Sequence, residues 1–134
     1  MTLAELVVDA SVVVRGLTTE GSAAETLERI TTGDTRADAP DLLVAELSNA
    51  LALAVRTGRL ELASAQLLLS SVLDGPIVLH PVAALAPAAI ELASGTGLSA
   101  YDAYYAVLAD TLGVPLVTTD RRLGEAVPGA VLLE

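Results

Sequence analysis

Short unbroken apolar runs alternate along this chain with longer stretches whose apolar positions recur at helical spacing. Leu6-Val-Val-Asp9, Ile77-Val-Leu-His80, Pro115-Leu-Val-Thr118 and Ala130-Val-Leu-Leu133 read as short, fully buried strands. Between them the spacing predicts helices over Ser22 to about Ile30, Asp41 to about Arg56, Leu60 to Leu73, Val82 to Ala93, Ser99 to Leu112 and Arg121 to Val127. Pro40 opens one of these helices. Thr57-Gly58, Asp74-Gly75-Pro76, Ser94-Gly95 and Gly113 close others. Continuous apolar strands separated by helices argue for a parallel sheet covered on both faces. No linker, repeat or low-complexity segment interrupts the pattern, so the expectation is one α/β domain over residues 1–134.

In such a sheet, ligands gather outside the carboxyl ends of the strands. Asp9 ends the first strand and Asp120 follows Thr118, while Glu46 lies in the early turns of its helix and Asp102 in the first turn of its own. All of these acids fall near one edge, provided the strands bearing Asp9 and Asp120 are neighbours. Each also has an ordinary reading. Asp9-Ala-Ser is turn chemistry, Ser99-Ala-Tyr-Asp102 is a capping box, and Asp120 suits the N-cap of the helix behind it. Glu46 is the hardest to explain away. Leu42, Glu46, Asn49 and Leu53 share one face of a helix that is otherwise apolar almost all round. Burying a lone charge is costly unless it is paired or bound to metal.

Composition narrows the chemistry. Hydrophobic residues make up 53% of 134 and aromatics only 2%, so Ala, Val and Leu must build the core. Seventeen acids stand against 7 bases, every base is Arg, and the formal charge is -10. That field opposes sequence-independent nucleic-acid binding through phosphate neutralisation and favours basic protein partners. Without Lys there is no P-loop and no Schiff base. Without Cys, and with His80 the only His, thiolate and multi-His zinc sites are excluded. Oxygen-only ligands select hard cations, Mg2+ or Mn2+. Two carboxylates about 4 Å apart repel by roughly 4 kcal/mol at an effective dielectric near 20. A converging cluster therefore needs protons or cations, and such ions support phosphodiester hydrolysis.

Other polar residues have two readings each. Ser11 and Thr118 either orient a ligand or water beside the acids, or cap local backbone. Arg15, Arg121 and Arg122 flank the proposed site and either hold substrate phosphates or are solvated surface side chains. Tyr101, Tyr104 and Tyr105 are expected to share one helical face, used for core or dimer packing rather than base stacking. His80 is assigned no catalytic role. The start, Met1-Thr-Leu-Ala-Glu5, lacks a basic n-region, and no apolar window reaches the about 18 residues of a membrane span. Both observations, with the absence of Cys, lead to the expectation of a cytoplasmic protein outside the membrane.

Val7-Val-Asp-Ala-Ser-Val-Val-Val14, Ala39-Pro-Asp-Leu-Leu-Val-Ala-Glu-Leu-Ser-Asn-Ala-Leu51, Leu98-Ser-Ala-Tyr-Asp-Ala-Tyr-Tyr-Ala-Val-Leu-Ala109 and Pro115-Leu-Val-Thr-Thr-Asp-Arg-Arg-Leu123 together resemble a PIN domain, specifically a VapC-type toxin of a toxin–antitoxin pair. The resemblance implies a three-layer α/β/α fold with a short, mostly parallel central sheet. It implies a Mg2+- or Mn2+-dependent endoribonuclease that leaves 5′-phosphate and 3′-hydroxyl ends. The family's ligand and catalytic positions fall on Asp9, Glu46, Asp102 and Asp120, with supporting roles on Asn49 and Thr118. The resemblance further implies a homodimer, silenced by a VapB-type antitoxin that obstructs the site. Either Glu46 or Asp102 could act as general base. A PIN-fold binding module without turnover is the alternative. An aspartyl-phosphate phosphatase is disfavoured, because Ser11 stands where the second Asp is needed and Lys is absent.

Overall fold

Residue pattern and register converge on a parallel sheet in a computed structural model, which describes residues 4–134. Met1–Leu3, on which the reading of the N-terminal start partly rests, lie outside the described residues. The elements run β1 (Glu5–Val8), α1 (Ala10–Thr18), α2 (Ser22–Thr32), β2 (Arg36–Pro40), α3 (Leu42–Arg56) and α4 (Leu62–Leu73). They continue β3 (Val78–His80), α5 (Val82–Thr96), α6 (Ala100–Leu112), β4 (Leu116–Thr118), α7 (Arg121–Ala126) and β5 (Val131–Leu132). The strand order is β3-β2-β1-β4-β5, with every pairing parallel.

The central strand is the most apolar one. Leu6, Val7 and Val8 of β1 are buried on both faces, as a sheet covered from either side requires. α6, with α5 packed on it, lies against β1, β2 and β4. α1 packs on β4 beside α2 and α3, and α4 rests on α3. This is the three-layer α/β/α arrangement. Val12, Val13, Leu43, Leu47, Tyr105 and Leu108 fill the space between layers. No single helix among the described residues is long and apolar enough to cross a membrane.

Two elements depart from the sequence reading. The segment behind Asp9 is helix α1 rather than a turn. Its Val12-Val-Val14 run favours strand by intrinsic propensity, but two of those side chains are buried between helix and sheet, and that burial decides the outcome. Arg36-Ala-Asp-Ala-Pro40, which carries none of the usual strand formers, is β2, an internal strand between β1 and β3. Ala37 and Ala39 are completely buried there, and Pro40 stands at the last paired position, opposite His80. The expected helix face of three tyrosines also dissolves. Tyr105 is fully buried, Tyr104 half-buried, and Tyr101, in the first turn of α6, is 63% exposed.

Candidate metal centre at the carboxyl edge of the sheet

β1 pairs directly with β4, Val8 opposite Val117, so the residues following these strands emerge side by side. The Asp9 amide donates to the Val117 carbonyl at 3.0 Å, and the chain then turns into α1. Asp9 is that helix's N-cap by position, yet its side chain makes no cap bond. Instead its Oδ2 accepts from the Ser11 hydroxyl at 2.6 Å and from the Thr118 hydroxyl at 2.8 Å. The same two hydroxyls accept from the β4–α7 loop, Ser11 from the Thr119 amide and Thr118 from the Asp120 amide. Burial nonetheless raises the Asp9 pKa, against the lowering influence of those hydroxyls.

Asp120 is the N-cap of α7, its Oδ1 accepting from the Arg122 amide at 2.9 Å and more weakly from Leu123 at 3.4 Å. Gly124 lets α7 sit down on the sheet, since a Cβ there would lie 3.2 Å from Leu132 and 3.5 Å from Thr118. At the start of α6, Ser99 caps the helix by accepting from the Asp102 amide. The Asp102 pKa is raised by burial first, then by the charges of Asp9 and Asp120, with Ser99 and Arg122 acting the other way.

Glu46 projects from α3 toward the same edge. The buried face of α3 is Leu43, Leu47 and Leu51, so Glu46 is not lodged in a wholly apolar stripe as the sequence suggested. It is half-buried, and Asn49 and Leu53 beyond it are exposed. Burial raises its pKa most, the charges of Asp9 and Asp102 raise it further, and a hydrogen bond from Tyr105 opposes them. That bond, Tyr105 hydroxyl to Glu46 Oε1 at 2.6 Å, was missed in the sequence. Its place one helical turn beyond Asp102 does not by itself announce a contact with α3.

Glu46 feels the charges of Asp9 and Asp102, and Asp102 those of Asp9 and Asp120. Among the described residues, none of the four takes part in an ion pair. The arginines do not fill that role. Arg15 is exposed on α1, Arg121 pairs with Glu125 at 3.5 Å, and Arg122 donates to the Gly97 carbonyl at 2.7 Å. In donor type and uncompensated negative field, the cluster fits a hard divalent cation. As the side chains stand, no three acidic groups among the described residues surround one point closely enough to coordinate an ion. Three of the four have one carboxylate oxygen held by a protein partner: Asp9 Oδ2 by the Ser11 and Thr118 hydroxyls, Glu46 Oε1 by Tyr105 and Asp120 Oδ1 by helix amides.

A parallel sheet in this order, with carboxylates following β1 and β4 and others on α3 and α6, defines a PIN domain. Residues 6–127 match the PIN domain family, and the chain belongs to it. It is similar to Exonuclease VapC9 of Pyrobaculum aerophilum, with 38% identity over 95 residues, 69% of this chain and 68% of that protein. The crystal structure of PAE2754 from Pyrobaculum aerophilum superposes with a TM-score of 0.74 at 30% identity, covering 96% of this chain and 83% of that one. VapBC2 from Rickettsia felis, solved bound to a DNA fragment from their promoter, gives a TM-score of 0.68 over 97% of this chain and 99% of that one. At 16% identity this last likeness is one of fold.

Proposed function

We propose that the protein is a Mg2+- or Mn2+-dependent endoribonuclease toxin of the VapC type, held silent by a cognate antitoxin. The carrying observation is that β1 and β4, paired side by side, bring Asp9 and Asp120 to one sheet edge, where Asp9 is close enough to raise the pKa of Glu46 and of Asp102, and that among the described residues none of the four is in an ion pair. Membership of the PIN domain family and the likeness to a protein named Exonuclease VapC9 support the nuclease reading. The antitoxin, homodimer and cytoplasmic setting rest on the VapC resemblance. An acidic chain of charge -10 also suits a basic partner segment entering the site.

Asp9, Asp102 and Asp120 would hold the ion, with Glu46 directly or through water. Bound there, the ion supplies positive charge against the phosphodiester oxygens and makes water more acidic. Ser11 and Thr118 fix the Asp9 carboxylate, while Asn49 stands one turn from Glu46 on the open side. Glu46 or Asp102 takes the proton from the attacking water. Of the three arginines, Arg122 is the one whose charge reaches an acid of the site, and it contacts a substrate phosphate.

Metal-stripped protein incubated with linear and covalently closed circular RNAs, with Mn2+, Mg2+ or EDTA, tests this directly. The expected result is ion-dependent cutting of both forms, reduced at least about a hundredfold in D9N. Cutting confined to linear RNA would make the enzyme an exonuclease. Ion uptake without cutting of any RNA would favour the binding module. That second reading is favoured by one observation: as the side chains stand, no three acidic groups among the described residues surround one point closely enough to coordinate an ion.

A further inference from the structure

Tyr105 heads the fully buried side chains by volume, and packing alone would account for its ring. Its hydroxyl does something packing does not need. It reaches from α6 to Glu46 Oε1 on α3 at 2.6 Å, across 59 positions of sequence. Asp102 lies one turn back along the helix that carries the ring. A single hydroxyl thus ties the helix bearing Asp102 to the helix bearing Glu46.

We infer that Tyr105 is a positioning residue whose hydroxyl sets the direction of the Glu46 carboxylate, holding Oε1 and presenting Oε2 to the ion. This rests on the metal-centre reading above and deepens it. Glu has three side-chain torsions, and Glu46 is only half-buried while Asp9 and Asp102 repel it. Without a donor, its favourable course is to swing outward into water. A Lys or Arg donor would hold it, but would also neutralise the site and compete with the cation. A phenol orients the carboxylate while remaining neutral. It is also rigid, being held by a ring with no exposed surface.

The test is a double-mutant cycle on metal-stripped protein, using Y105F, E46A and the pair, with Y104F as control and circular dichroism to verify folding. Phe keeps the ring's volume, so the core stays filled. Mn2+ affinity is measured by isothermal titration, and kcat and KM are measured on RNA. A hydrogen bond to a charged group leads to the expectation that Y105F weakens Mn2+ binding roughly tenfold. It should lower kcat with KM little changed, while Y104F matches the unsubstituted protein. In the E46A background, Y105F should cost nothing further. Y105F binding Mn2+ like the unsubstituted protein would overturn the inference. So would an equal loss with and without Glu46, since the ring would then act through packing. If the unsubstituted protein takes up no Mn2+, the metal-centre reading itself fails.

Discussion

Asp9 is a buried carboxylate with two hydroxyl donors on one oxygen, one from the start of α1 and one from the end of β4. Neutral donors ease the burial of the charge without cancelling it, which keeps the group available to a cation. Removing one should be costly even though Thr118 makes no ion pair. Thr118→Val preserves shape in a fully buried position but deletes a donor to Asp9 and an acceptor for the Asp120 amide. The expected loss is about 1–3 kcal/mol, read from the urea midpoint at unchanged m-value. A Thr118→Ser protein, which keeps the hydroxyl, should recover most of that loss. A Thr118→Val protein as stable as the unsubstituted one, with Thr118→Ser destabilised, would mean that the methyl group, not the hydrogen bonds, holds this position.

At the level of elements, the candidate site is made of strand ends and helix starts, and one of its acids also serves local structure. Asp120 caps α7 through two amides, a role that predicts a separable pair of phenotypes. Asp120→Ala removes the cap and should cost about 1 kcal/mol of stability. Asp120→Asn keeps a capping oxygen and should melt close to the unsubstituted protein, yet bind Mn2+ more weakly. If Asn restored both properties, Asp120 would be a cap alone. The sequence made these helix starts legible because capping residues carry local signals, and Ser99 and Asp120 stand at the expected cap positions. It made β1 and β4 legible because both are continuous apolar runs. It hid β2 and α1 for the opposite reason. Ala37-Asp-Ala-Pro40 becomes a strand only because β1 and β3 lie on either side, and Val12-Val-Val14 becomes helical only because it is buried against the sheet. Glu46 was conspicuous as an acid among leucines, but its partner was not, since nothing local in a tyrosine three positions after Asp102 announces a contact with α3.

Across the whole molecule, charge -10 and a knot of mutually repelling acids make stability depend on pH and on ions in a defined direction. Asp9, Glu46 and Asp102 all have pKa values raised above their ordinary ones, through burial first. Each therefore binds its proton more tightly in the folded chain than in the unfolded one. Their contribution is fully present below the unfolded values, near pH 4, and is lost as pH rises through the higher folded values. The metal-free protein should consequently lose melting temperature as pH rises above the unfolded values, and the double variant D9N/E46Q should show a flatter dependence. A divalent cation competes with the same protons. Mn2+ at a hundred times its Kd should add about 2.7 kcal/mol at pH 7.5 and distinctly less at pH 5. Differential scanning calorimetry with and without EDTA measures both effects. Sodium chloride at matched ionic strength separates them from general screening of the acidic surface, because screening would stabilise the double variant as well. A melting temperature that rises with pH in the metal-free protein, and more steeply than in D9N/E46Q, would contradict the direction of all three shifts and remove the case that these acids crowd one another.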